Sequence, residues 1–174
     1  MRIHFGTRSK PRLGSDDVTS RIGNWQERLK VSTLLPRTIG VAVDGSDQSF
    51  RALNYAVQLA QLNNSRILIL HVMLLPSHIS PTTLSKLRGE LSKEVEEIFS
   101  KIKGIGENGH VGIETRIVET STSVVMAIVD FAEREKVDLM VLGTRGTSGI
   151  PKLMLGSTAA GVVSFAHCPT LVVR

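Results

Sequence analysis

The residues best suited to chemistry sit in the last quarter of the chain. An apolar run, Leu139 to Leu142, stops at Gly143. Gly146 follows after two residues, nine more lead to Gly156, and Ser157 and Thr158 come next. A strand end, a glycine-rich loop and a helix start, in that order, suit phosphate. Glycine has no Cβ, so its backbone can come close to a ligand and can take up φ > 0. A helix start offers unpaired N–H groups and the positive end of a dipole to an anion. The stretch Gly143 to Gly146 is expected to wrap a triphosphate or ribose through backbone N–H groups, with Ser157 and Thr158 adding hydroxyls. Arg145 either neutralises phosphate charge or is a solvated loop arginine.

A second candidate stands upstream. Asp44 closes the run Arg37 to Asp44 and precedes Gly45-Ser46. A carboxylate there can accept from an adenine amino group or a ribose hydroxyl, or help hold Mg²⁺. Ser46 is a good N-cap for a following helix. Other chemistries are excluded. Gly40 to Ser46 has the glycine spacing of a P-loop, but Ser46 stands where lysine is required. No G-x-G-x-x-G follows a strand, and no G-x-S-x-G occurs. His71 lies inside an apolar strand and reads as a satisfied core histidine. Five His and one Cys show no metal-ligand spacing. Cys168, flanked by apolar residues, reads as structural rather than redox-active.

The elements that must position these residues can be read from periodicity. Arg37–Asp44, Arg66–Leu74, Gly112–Val118, Val137–Leu142 and Thr170–Arg174 read as strands, mostly apolar as buried parallel strands are. Between them lie helices. The first starts after Ser46 and shows Leu53, Ala56, Val57 and Ala60 at i, i+3, i+4, i+7 spacing, with Asn63-Asn64 stopping it. The second opens at Pro81 with Ser80 as cap. Leu84, Leu87, Leu91, Val95, Ile98 and Ile102 form its apolar face, and Gly104, Gly106 and Gly109 are expected to end it. The third is capped within Thr120–Ser123 and turns Ile128, Phe131 and Ala132 inward. The fourth spans Ser157 to Ala166. Alternating strands and helices define an α/β chain with a parallel sheet covered on both faces. Ligands of such sheets sit beyond the strand C-termini, where strand order switches.

The glycine pattern, with Gly156 followed by a hydroxyl residue, resembles that of the universal stress protein family in its nucleotide-binding branch. The resemblance covers residues 37 to 174 and matches every fixed position. It implies a Rossmann-like, five-stranded parallel open sheet of order 3-2-1-4-5, of the adenine nucleotide alpha hydrolase type. The first and fourth strands then lie side by side, with Asp44 opposite Gly143. It further implies ATP as cofactor, with Mg carried by the nucleotide, contacts at Ala42, Val43, Asp44 and Ser46, and an adenine-facing Val72. The CPTLVV ending implies a homodimer through the last strand, and Leu171, Val172 and Val173 fit a strand that hides its edge in this way. One departure stands out: Glu119-Thr120-Ser121-Thr122 occupies a loop where relatives often carry an early glycine.

With 174 residues, the chain is long enough for one domain with a sizeable core. No apolar run approaches the roughly 18 residues of a membrane span, and the start lacks a secretory apolar core, so a cytoplasmic home is expected. Residues 1–37 hold eight Lys or Arg and three Asp or Glu, leaving thirteen of each sign elsewhere. The net charge of +5 thus belongs to residues 1–37, the basic N-terminal extension at 1–36 together with Arg37 at the head of the 37–174 domain, and the rest of that domain is neutral. That argues against a nucleic-acid face on the domain. In the extension, Trp25, Leu29, Val31, Leu34 and Leu35 suggest a short helix or docking patch, with a flexible leader as the alternative. The expected function is an ATP-binding stress regulator with little or no turnover. A slow Mg-dependent ATPase, an AMP or cyclic-nucleotide sensor, and a partner-capturing arm are the competing readings.

Overall fold

The computed structural model describes residues 35–146 and 155–174. In chain order the elements are β1 (Thr38–Ala42), α1 (Asp47–Asn63), β2 (Arg66–Leu74), α2 (Pro81–Gly109), β3 (Ile113–Thr120), α3 (Val124–Arg134), β4 (Leu139–Gly143), α4 (Ser157–Phe165) and β5 (Thr170–Val173). The five strands form one sheet in the order β3-β2-β1-β4-β5, and every pairing is parallel. The expected fold class, with that strand order, is the one found.

The central strands are apolar on both faces because both faces are covered. Ile39, Val41, Ile67, Ile69 and Val141 pack with α1 and with Ile98 and Ile102 of α2. On the other face Leu68, Leu70, Met140 and Leu142 pack with Ile128, Phe131 and Ala132 of α3 and Val162 of α4. Leu68 and Leu70 are wholly buried, and truncating such a side chain costs about 2–5 kcal/mol. β3 differs. It is an edge strand, its residues are half-buried or exposed, and Glu114 and Arg116 pair with one another on it.

Caps fix the helix starts. The Ser46 side chain accepts from the Ser49 N–H at the head of α1, and Asp47 lies in the first turn, where a negative charge suits the dipole. Ser80 caps α2 by accepting from Thr83, with proline at its first turn. Ser123, among the several hydroxyls available, caps α3 by accepting from Met126.

The end of α2 corrects the sequence expectation. Gly104 and Gly106 do not stop the helix, which runs 29 residues to Gly109. The stop is set by His110 in the left-handed region, φ 52, and by the Val111 N–H returning to Gly106 O at 3.2 Å. Gly106 serves packing instead, since a Cβ there would lie 2.9 Å from Ile113 Cδ1. β3 extends past Val118 to Thr120 because its ladder with β2 continues to Leu74↔Thr120. β4 starts at Leu139 rather than Val137, because Lys136, φ 52, turns the chain out of α3. Trp25, Leu29, Val31 and Leu34 of the N-terminal extension lie outside the described residues, and Leu35 is exposed.

Candidate functional site

Two strand ends meet where the strand order switches. β1 and β4 are neighbours, with Val41 beside Val141, so Asp44 and the turn from Gly143 to Gly146 emerge together. They open onto a cleft of about 440 Å³. Ala42, Val43 and Asp44 form one side, and Gly143, Arg145 and Gly146 the next. Gly156, Ser157 and Thr158 bring the head of α4 into it. Val72 of β2 closes the far end with Leu70 and Leu74, facing Val124 and Ile128 of α3. The cleft is therefore apolar at the β2–α3 end and polar at the β4–α4 end.

Asp44 is held by its neighbours. Its Oδ1 accepts from the Ser46 N–H at 3.0 Å and from the Ser46 hydroxyl at 2.6 Å. Ser46 Oγ in turn accepts from the Ser49 N–H at 3.2 Å. Ser46 does not line the cleft. Capping α1 and gripping Asp44 use its side chain, so its part in the site is indirect. Between them stands Gly45 at φ +86, where a Cβ would press on Ile98 at 3.0 Å. That residue must be glycine for the Asp44 turn to form.

Positive φ is not what the motif glycines supply. Among the described glycines only Gly45 has positive φ. At Gly143 a Cβ would lie 2.8 Å from the backbone carbon of Gln48 in α1. At Gly146 it would collide with Oδ2 of Asp44, and at Gly156 it would sit 3.0 Å from the Thr144 carbonyl oxygen. These glycines let protein close on protein, which brings β1, β4 and α4 together around one cleft.

Gly156 is the N-cap of α4 and gives it no side-chain cap bond. No acidic residue stands in the first turn, an arrangement that suits an anion at the helix head. Thr144 is a residue the sequence reading missed. It is 8% exposed, its N–H donates to Val173 O at 2.8 Å, and its carbonyl accepts from Gly156 N–H at 2.8 Å. It thus fastens the turn to both β5 and α4. Leu70, Leu74, Val124 and Ile128 were also missed as cleft residues. The signal was available in part, because Val124 and Ile128 stand four apart on one face of α3.

His71 is satisfied as expected: its Nδ1 lies 2.8 Å from Val43 O. A carbonyl only accepts, so the ring nitrogen donates. Val43 N–H donates to Leu70 O at 2.9 Å, so both backbone groups of Val43 have partners inside the protein. Cys168 packs beside the α3–α4 core, and burial pushes its thiol above the ordinary range. Among the described residues no group of three or more His, Cys, Asp or Glu could hold a metal ion.

An apolar slot joined to an anion-binding helix head, at the switch point of a doubly wound sheet, has the features of a nucleotide-binding α/β domain. The family model of the universal stress proteins matches residues 36–174, and the chain belongs to that family. A universal stress protein of Methanocaldococcus jannaschii is 35% identical over 146 residues, covering 80% of this chain and 83% of its own. The solved universal stress protein UspA of Lactobacillus plantarum superposes with a TM-score of 0.70 at 27% identity, covering 79% of this chain and 97% of that one. A universal stress protein solved in complex with cAMP superposes at 0.62 and 27% identity, covering 80% and 98%.

Proposed function

We propose that this chain is a stress-response regulator that binds ATP in the β1–β4 cleft and turns it over slowly or not at all. The observation that carries this reading is the division of the cleft. The Val72, Leu74, Val124 and Ile128 end matches a purine face, and the α4 head with Gly143–Gly146 matches phosphates. Asp44 lies between the two, where a ribose hydroxyl or a phosphate-borne cation would meet it. A carboxylate beside phosphate is repelled unless a cation or a donor intervenes, which favours nucleotide bound with Mg²⁺. Asp44 alone would hold that ion to the protein, with the phosphates supplying the other ligands.

Slow turnover follows from what faces the phosphates. Asp44 is the carboxylate among the described cleft residues, and Ser46 holds its Oδ1 by two hydrogen bonds. No described histidine, lysine or glutamate lines the cleft to activate water. A second reading, an AMP or cyclic-nucleotide sensor, is favoured by the structural neighbour that carries cAMP.

The test is to denature the purified protein and identify any released nucleotide by chromatography, with Mg-ATP calorimetry on the emptied protein. Stoichiometric ATP supports the regulator reading. AMP or cAMP in its place moves the assignment to the sensor. An empty protein that takes up no adenine nucleotide refutes both.

A further inference from the structure

The parallel ladder between β1 and β2 stops at an unusual point. Its last rungs are regular, with Val41↔Ile69 and Ala42↔Leu70 in register, and the Val43 N–H donating to Leu70 O at 2.9 Å. In a parallel pair the next rung would run from the Val72 N–H to the Val43 carbonyl. That rung is not made. The Val43 carbonyl accepts from His71 Nδ1 at 2.8 Å instead. A side chain of β2 has taken the place of the main chain of β2.

The consequence lies at the apolar end of the cleft. Successive strand residues face opposite sides of a sheet. Val72 lines the cleft, while His71 is on the α2 face beside its register partner Ile117. The N–H and C=O of one strand residue point the same way, so those of Val72 share the direction of Leu70, toward β1. Beyond the bond from Val43 N–H to Leu70 O no further rung joins the two strands, which leaves the Val72 N–H and carbonyl at the edge of the cleft that Val72 lines. A backbone donor and acceptor side by side match the N1 acceptor and the 6-amino donor of adenine. A buried amide left without a partner is costly, so a fully made ladder would draw the Val72 N–H away from the base.

We propose that His71 is a positioning residue for nucleotide binding: by drawing the Val43 carbonyl toward the α2 face it ends the β1–β2 ladder one rung early and leaves the Val72 amide for the base. The assignment rests on the nucleotide reading given above and adds the group that prepares the base-reading edge. Its effect belongs to the base and not to the phosphates, since Gly143–Gly146 and the α4 head are built on other elements.

Calorimetry with adenosine, Mg-ATP and inorganic tripolyphosphate on wild type, H71A and H71N provides the test. Asparagine carries an amide nitrogen on Cγ where histidine carries Nδ1, so it can donate to the same carbonyl. H71A is expected to weaken adenosine and ATP by the same factor, about tenfold for one lost hydrogen bond, and to leave tripolyphosphate unchanged. H71N should restore both. If H71A does not fold, H71L supplies bulk without a donor and takes its place. Wild-type adenosine affinity in the alanine or leucine variant overturns the assignment alone, as does an equal loss for tripolyphosphate. A wild type that binds none of the three ligands overturns the nucleotide reading and this assignment with it.

Discussion

A glycine can be required for two reasons, and Gly143 and Gly146 separate them. At Gly143 the obstacle to a methyl group is the backbone of Gln48, with its carbon at 2.8 Å and its oxygen at 2.9 Å. Backbone cannot rotate away, so Gly143→Ala should lose about 1–3 kcal/mol of stability, read as a lower Tm. At Gly146 the obstacle is the Asp44 carboxylate, which can swing aside. Gly146→Ala should therefore keep most of its stability and lose about tenfold or more in Mg-ATP affinity, because the displaced carboxylate is the one proposed to face the ligand. The reverse pattern, stability lost at 146 and affinity at 143, would refute this division. The positions of these glycines were legible in the sequence, but their reason was not. Spacing shows that a side chain is forbidden and not which atom forbids it, and among the described glycines only Gly45 takes up left-handed backbone. Cys168 makes a further residue-scale prediction. Burial raises its thiol, so the unfolded chain releases this proton at lower pH than the folded one. Its contribution to stability is complete below the unfolded thiol value, near pH 8.5, and is lost as pH rises toward the folded one. Wild type should lose more Tm than Cys168→Ala over that range, and iodoacetamide should label the native thiol more slowly than an unfolded one. Equal Tm profiles and free-thiol labelling rates would show the sulfur to be open.

At the scale of elements, α2 shows where sequence reading succeeds and where it stops. Its apolar face was legible, since Val95, Ile98 and Ile102 are buried as the spacing requires. Its end was not, because glycine is a local signal and the helix obeys distant partners. Gly106 and Gly109 are fixed by contacts with Ile113 and Val57, one on β3 and one on α1. Gly89 and Gly104 have no atom within 4 Å of a built Cβ, so they carry only glycine's helix penalty. Gly89→Ala and Gly104→Ala should each stabilise the protein by about 0.8–1 kcal/mol, whereas Gly106→Ala should destabilise it. Thermal unfolding of the three variants decides the matter, and a lower Tm for either of the first two would refute their assignment. β3 was harder to read for a related reason. An edge strand carries charge where a central strand carries valine, so Glu114, Arg116 and Glu119 blur the apolar run. Glu119, near the end of β3, also makes a two-pronged ion pair with Arg88 of α2 at 2.8 Å.

At the scale of the molecule the sheet has two edges of opposite character. The β3 edge is guarded by charge. Glu114 pairs with Arg116 at 2.9 Å and with Arg66 at 3.6 Å, and charged side chains are a standard defence against edge-to-edge pairing. Among the described residues the β5 edge has no such guard. Thr170 to Val173 carries no charge and is half-buried throughout, and beside it α4 exposes Val163 at 49% and Phe165 at 64%. An apolar, undefended strand edge calls for a partner, and a second copy presents the same strand for pairing about a two-fold axis. The expected seam of a homodimer is therefore β5. Hydrogen-bond direction supplies the test. Pro169 O accepts from Met140 N–H, and Val173 O accepts from Thr144 N–H, so the odd-numbered residues of β5 face β4. Val172 then points its N–H and carbonyl outward along the open edge. Proline at 172 removes an outward donor without touching the β4 ladder, and proline is tolerated on edge strands. Wild type should sediment as a dimer and Val172→Pro as a folded monomer. A monomeric wild type, or a Val172→Pro protein that remains dimeric, would place the seam elsewhere. The same geometry ties the seam to the ligand. Thr144 bonds Val173 on one side and Gly156 on the other, so ordering β5 across a dimer is expected to steady the turn proposed to hold phosphate. The Val172→Pro monomer should therefore bind Mg-ATP more weakly than the dimer, and by reciprocity nucleotide should lower the wild-type dimer dissociation constant by the corresponding factor. Equal ATP affinity in monomer and dimer would show that Thr144 fastens the turn without transmitting anything through it.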